Sequence, residues 1–147
     1  MTEKPPEHLF TGACHCEAIR VRYQTRFPIE TLRVGRCGCS FCRGHGARTS
    51  SDAGGKLEIF EKYPGAQRYR FAYGITKFLV CRGCGSYVAA VMETEDGYLA
   101  TLNVNVLDAR DQFDPAPPLV DYDSETAAER RARRRRQWTP TEIVEAR

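Results

Sequence analysis

The sequence has no long hydrophobic run. No apolar stretch approaches the roughly 20 residues that a membrane-spanning helix needs, so no span is expected. The opening residues, MTEKPPEHLF, hold no apolar segment and no cleavage pattern, which argues against a secretory signal. The expected location is therefore the cytoplasm, where thiols stay reduced. Seven cysteines in that setting point to metal ligation or catalysis rather than disulfides, and an odd number pairs poorly. The chain also lacks a strong excess of one charge. Twenty-two basic residues face 19 acidic ones, a formal net charge of +3. If every cysteine is a thiolate on one of two zinc ions, seven negative charges against four positive bring that sum to zero. Charge alone then gives little reason to expect a nucleic-acid partner. There is no internal repeat beyond the recurrence of paired cysteines. The remaining composition, 41% hydrophobic and 28% charged, is that of a globular protein. At 147 residues it forms one main domain, large enough to bury a core.

The cysteines carry the chemical signal. Cys37, Cys39 and Cys42 fall within six residues as C-x-C-x-x-C. A tight loop brings three thiols together at this spacing, with Gly38 expected to supply backbone angles that a side chain forbids. Thiolates on one tetrahedral zinc sit about 3.7 Å apart, given Zn–S bonds of about 2.3 Å. Cys14 and Cys16, as C-x-C, and Cys81 and Cys84, as C-x-x-C, suffice for a four-cysteine structural site. That division leaves a three-thiolate site whose fourth position is open, the mark of a catalytic rather than a structural zinc. Spacing also allows a zinc ribbon of Cys39 and Cys42 with Cys81 and Cys84. His45, at Cys-x-x-His spacing from Cys42, is the protein group able to close the three-thiolate site. His15 reads as an exposed turn residue. A zinc ion with three thiolates carries a net charge of −1, so it is a poor generator of hydroxide. It suits a fourth sulfur held as thiolate, and hence thiol addition to a carbonyl or the reverse.

Around the cysteines the pattern is that of short strands. Residues 1–9, with Pro5 and Pro6, read as a flexible lead-in. Residues 18–23 alternate apolar and basic side chains, the period of a half-buried strand. Further strands are expected at 29–34, 56–60, 68–73 and 77–80, with a turn at Pro64-Gly65. Residues 86–92 and 98–106 read as a hairpin about Asp96-Gly97. Residues 108–120, with three prolines, read as loop. From 123 a helix is expected, capped by Asp123 or Ser124, with acids early and arginines late. The chain divides into a lead-in at 1–9, a zinc domain at 10–120 and a charged helical tail at 121–147.

These residues resemble the glutathione-dependent formaldehyde-activating enzymes, the GFA or CENP-V family. Residues 11–16, TGACHC, look like its opening; 37–43, CGCSFCR, like its central signature; and 78–85, FLVCRGCG, like its closing knuckle. Residues 103–108, NVNVLD, resemble the strand that follows. Gly38 departs from the pattern, since many members carry histidine there. The resemblance implies an all-β fold of the Mss4-like type, small sheets stapled by zinc, followed here by the C-terminal helix. It implies Cys14, Cys16, Cys81 and Cys84 on the structural zinc. It implies Cys37, Cys39 and Cys42 on a second, labile zinc where chemistry occurs. The implied activity is that of a carbon–sulfur lyase resembling S-(hydroxymethyl)glutathione synthase. Its partners are a small thiol such as glutathione and an aldehyde such as formaldehyde.

Arg36, Arg43 and Arg82 flank the cysteines and suit a substrate carboxylate, since an arginine fork matches carboxylate geometry. Arg36 and Arg43 are the leading candidates, and charge balance at the thiolate centre is the competing role. Phe41, Phe71 and Tyr73 could line a pocket, although aromatics beside a zinc loop more often serve as core, and Trp138 reads as a residue docking the tail on the sheet. Two other functions stay open. A zinc-stapled module binding protein or nucleic acid draws on the arginines at 130–136, although residues 121–147 balance seven arginines with six acids. A zinc reservoir or redox sensor draws on exposed thiolates.

Overall fold

The computed structural model describes residues 7–145, so residues 1–6 of the lead-in and the last two of the tail lie outside it. Strand β2 (Ile19–Thr25) shows the logic of the whole. Ile19, Val21, Tyr23 and Thr25 are buried, while Arg20 and Arg22 between them are exposed. In chain order the elements begin with β1 (His8–Ala13), β2 and β3 (Arg36–Cys37). Helix α1 (Ser40–His45), β4 (Thr49–Ser50), β5 (Lys56–Glu61) and β6 (Ala66–Tyr69) follow. Then come β7 (Lys77–Cys81), β8 (Tyr87–Thr94) and β9 (Gly97–Asn103). Two 3-10 turns, β10 (Leu119–Val120), helix α2 (Ala127–Gln137) and β11 (Thr139–Glu145) complete the chain. The fold is all-β with one substantial C-terminal helix.

The main sheet runs β1-β2-β5-β11-β9-β8-β7-β6, with β4 beside β9, and a two-stranded sheet pairs β10 with β3. Its ends are drawn together. β5 and β6 stand five positions apart, about 24 Å in a flat sheet. Only residues 62–65 join them, a reach of about 18 Å at most, so the sheet curls. Glu61 secures the corner. It is buried; its Oε1 accepts from the Ala66 N–H at 2.9 Å and its Oε2 pairs with Arg68 at 2.6 Å.

Both faces of β8 are covered. Val88, Ala89 and Val91 join the main core with Ile19, Val21, Tyr23, Leu57 and Ile59. Ala90, Met92 and Tyr87 join a second cluster with Phe78, Cys42 and Trp138. Each fully buried aliphatic side chain contributes about 1.5–3 kcal/mol. The second cluster is what holds α1 and the end of α2 against the sheet.

Several expectations are corrected. Residues 29–34 form no strand: Pro28 starts a turn, its carbonyl accepting from Thr31 N and Leu32 N. Residues 104–106 form a 3-10 turn, not the end of a strand. Strand β1 begins at His8, inside the expected lead-in. The helix cap is Thr126, in a capping box with Glu129 whose two hydrogen bonds are both 3.1 Å. The helix stops at Gln137, and the chain after it is a strand. β11 runs parallel to β5 and antiparallel to β9, and joins the two halves of the sheet. Trp138 docks against the sheet as expected, at 6% exposure.

Candidate metal centres and cleft

The first cysteine group gathers at the closure of the curled sheet. Cys14 and Cys16 follow β1, Cys81 ends β7, and Cys84 sits in the turn before β8. Their four sulfurs all lie within 4.8 Å of one another. Cys14 and Cys16 are 3.8 Å apart and Cys16 and Cys81 3.6 Å apart, the spacing of thiolates around one tetrahedral ion. Backbone N–H groups turn toward them, Ile19 N to Cys14 Sγ at 3.3 Å and Gly83 N to Cys81 Sγ at 3.4 Å. Considered as thiols, Cys14 is pushed up to about 12, chiefly by burial. At Cys84 burial opposes ionisation, but the Ser86 hydroxyl at 3.2 Å and nearby N–H groups bring it down to about 5. His15 is exposed and stands outside the group. The zinc-ribbon pairing of Cys39 and Cys42 with Cys81 and Cys84 does not form.

The second group is Cys37, Cys39 and Cys42, again with sulfurs within 4.8 Å of one another. Its backbone is not the irregular loop expected. Cys37 ends β3, Cys39 is the N-cap of α1, and Cys42 lies in that helix's first turn. Cys39 Sγ accepts from Cys42 N at 3.4 Å, so the cap itself orients two of the three thiols. Gly38 has no left-handed backbone, and its N–H bonds to Val120 O at 3.0 Å. As thiols the three are unequal. A hydrogen bond from Cys42 brings Cys37 down to about 6, and the same bond holds Cys42 well above the ordinary thiol value. Among the described residues the group ends at three. His45 is exposed, its Nδ1 is 2.9 Å from Phe41 O, and its ring packs against Phe41. All-sulfur donors at these separations fit zinc at both sites.

The three thiols line a cleft of about 1070 Å³. One wall is β3 and the segment ending in β10, held by Arg36, whose Nε donates to Pro117 O at 2.7 Å. Phe71, Phe78 and Tyr87 form an apolar wall, and Phe71 and Tyr73, weighed in sequence as pocket lining or core, face the cleft. The third wall is α2. Of the two carboxylate candidates beside the cysteines, Arg36 lines the cleft; Arg43 is exposed on α1 and is not among its walls.

The arginines of α2 are the residues that sequence reasoning missed. In sequence they support only the rival binding-module reading, yet Arg130, Arg133, Arg134 and Arg136 line the cleft. Arg130 and Arg133 share Glu125, at 3.4 Å and 2.7 Å. Arg134 is buried over the Trp138 ring, 4.3 Å from its centroid. Burial lowers Arg134 to about 10, which leaves it charged at neutral pH. The helical signal was legible; the side it turns inward depended on where β11 anchors.

Among the described residues, no helix is long and apolar enough to cross a membrane. No curated protein sequence matches the chain. A solved structure of a Rhodobacter sphaeroides protein does. It is 26% identical, covers 75% of this chain and 99% of its own, and has a TM-score of 0.56. The model of the family named glutathione-dependent formaldehyde-activating enzyme matches residues 9–120, which hold all seven cysteines. The chain belongs to the glutathione-dependent formaldehyde-activating enzyme family.

Proposed function

We propose that this protein is a zinc-dependent enzyme that forms and cleaves thiol–aldehyde adducts, with glutathione and formaldehyde or near relatives as substrates. One observation carries the reading. Cys37, Cys39 and Cys42 converge in a cleft, and among the described residues no fourth protein ligand joins them. Cys14, Cys16, Cys81 and Cys84 hold the structural ion, and Cys37, Cys39 and Cys42 the catalytic one. Zinc bound by three thiolates supplies an open position that favours a further sulfur in its ionised form.

The chain's own groups do the rest. The end of β3 fixes Cys37 and the first turn of α1 fixes Cys39 and Cys42, so the site is preorganised rather than gathered by substrate. The Phe71, Phe78 and Tyr87 wall excludes water beside them, and Arg36 stands ready to orient an anionic group. The reaction balances without oxidant. The thiol loses its proton, the sulfur–carbon bond forms, and the carbonyl π pair moves to oxygen, which takes up a proton. The reverse breaks the same bond.

The test is the exchange rate between formaldehyde hydrate and its glutathione adduct, read by magnetization-transfer NMR. Zinc-loaded protein is expected to accelerate exchange, and Cys39→Ser to abolish the acceleration. Exchange unchanged by protein carrying two zinc ions would overturn the reading.

A further inference from the structure

Arg134 is a buried cation without a counter-ion. It is 7% exposed, and among the described residues no Asp or Glu pairs with it. Among the described residues its guanidinium makes one hydrogen bond, from Nη1 to the Thr76 hydroxyl. Its Nε is buried with no partner. Nη1 is the nitrogen engaged and Nε is closed off, so Nη2 is the donor left over. It can meet a carboxylate through a charge-assisted hydrogen bond. Leaving a buried charge unpaired is costly, and folds retain such a group where something arrives to pair it. Thr76, Trp138 and Arg134 all line the cleft that holds Cys37, Cys39 and Cys42. The lining is strongly basic, with seven arginines against two aspartates. One of those aspartates, Asp52, is already held by Arg26. A three-thiolate zinc would remove only one unit of that excess.

We propose that Arg134, set by Thr76 and Trp138, is the carboxylate-binding residue of this cleft, and that the protein selects thiols that carry a carboxylate. The proposal rests on the thiol–aldehyde reading for its choice of ligand. It adds a specificity residue from outside the matched family region, which ends at residue 120.

The experiment separates the two claims by removing sulfur from the probe. The probe is the tripeptide γ-glutamyl-2-aminobutyryl-glycine, a glutathione in which a methyl group replaces the thiol. Its diamide, lacking both carboxylates, is the control. Affinities are measured by calorimetry on zinc-loaded full-length chain, wild type, Arg134→Gln and Arg134→Lys. Melting temperature and Trp138 fluorescence check that each variant is folded. The wild type is expected to bind the dicarboxylate at least about tenfold tighter than the diamide, the scale of a charge-assisted pair. Arg134→Gln loses that preference, and Arg134→Lys keeps part of it. Equal affinity of the wild type for both probes overturns the proposal, as does a preference that survives in folded Arg134→Gln. If Arg134 only offsets the thiolates, the variant loses zinc and the preference stays, which also overturns it. A preference that depends on Arg134, in a protein that fails the exchange assay, keeps the carboxylate site and discards the thiol–aldehyde chemistry.

Discussion

The sulfurs of Cys16 and Cys81 lie 3.6 Å apart although 65 residues separate them. They meet because β1 and β7, near opposite ends of one sheet, are brought round to the same place. A metal held there ties the sheet closed. Cys81→Ser is expected to lower zinc from two ions per chain to one or none. It should cost on the order of 3 kcal/mol or more, a fall of roughly 10 °C in a domain of this size. Metal analysis beside a thermal melt checks it; a variant melting with the wild type would deny this site its structural role.

Cys39 acts differently, because its group holds no sheet ends together. Cys39→Ser keeps a capping oxygen for α1 and removes a thiolate from the cleft. The expected result is one zinc instead of two with the melting temperature changed by only about 2–4 °C. Loss of both ions, or global unfolding, would show that the two groups are not separable.

Gly12 and Gly38 look alike in sequence and differ in space. A Cβ on Gly12 would press into the Val106 carbonyl and come within 2.7 Å of Leu107 Cα, both backbone atoms. A Cβ on Gly38 would meet Val120 O at an ordinary 3.5 Å. Gly12→Ala is therefore expected to destabilise by about 2 kcal/mol or more, and Gly38→Ala to be neutral within about 1 kcal/mol. Urea midpoints of the two variants compare them directly, and reversal of that order would show the close approach at Gly12 to be soft.

Asp52 sets an acid limit. Burial opposes its ionisation, but Arg26, Thr25 and the Gly54 N–H outweigh that and hold its carboxyl down to about 2. A group depressed in the fold contributes its stability above the unfolded carboxylate value of about 4 and loses it as pH falls toward 2. Stability should therefore drop between about pH 4 and pH 2, and Asp52→Asn should flatten that slope while lowering stability at pH 7. Denaturant titrations across this window decide it; an unchanged slope in the variant would move the acid sensitivity elsewhere.

The cysteine spacings alone determined the local groups, Cys14 with Cys16, Cys81 with Cys84, and Cys37, Cys39 and Cys42, because ligands two or three residues apart can reach one ion whatever the fold around them. The alternation at residues 18–23 and the hairpin about Asp96-Gly97 were legible for a similar reason: a two-residue period and a turn are local. Which pairs of cysteines meet was decided by the curl of the sheet, forced by the short β5–β6 connection. β11 was missed because its exposed Pro140 and charged Glu142 mask a weak pattern, and its place rests on hydrogen bonds to β5 and β9, distant in sequence. Its anchorage in turn directs α2. The run of arginines was plain in the sequence, but no local rule says which of them faces water. Only packing of Trp138 against the sheet turns Arg134 inward, into the cleft where Cys37, Cys39 and Cys42 converge.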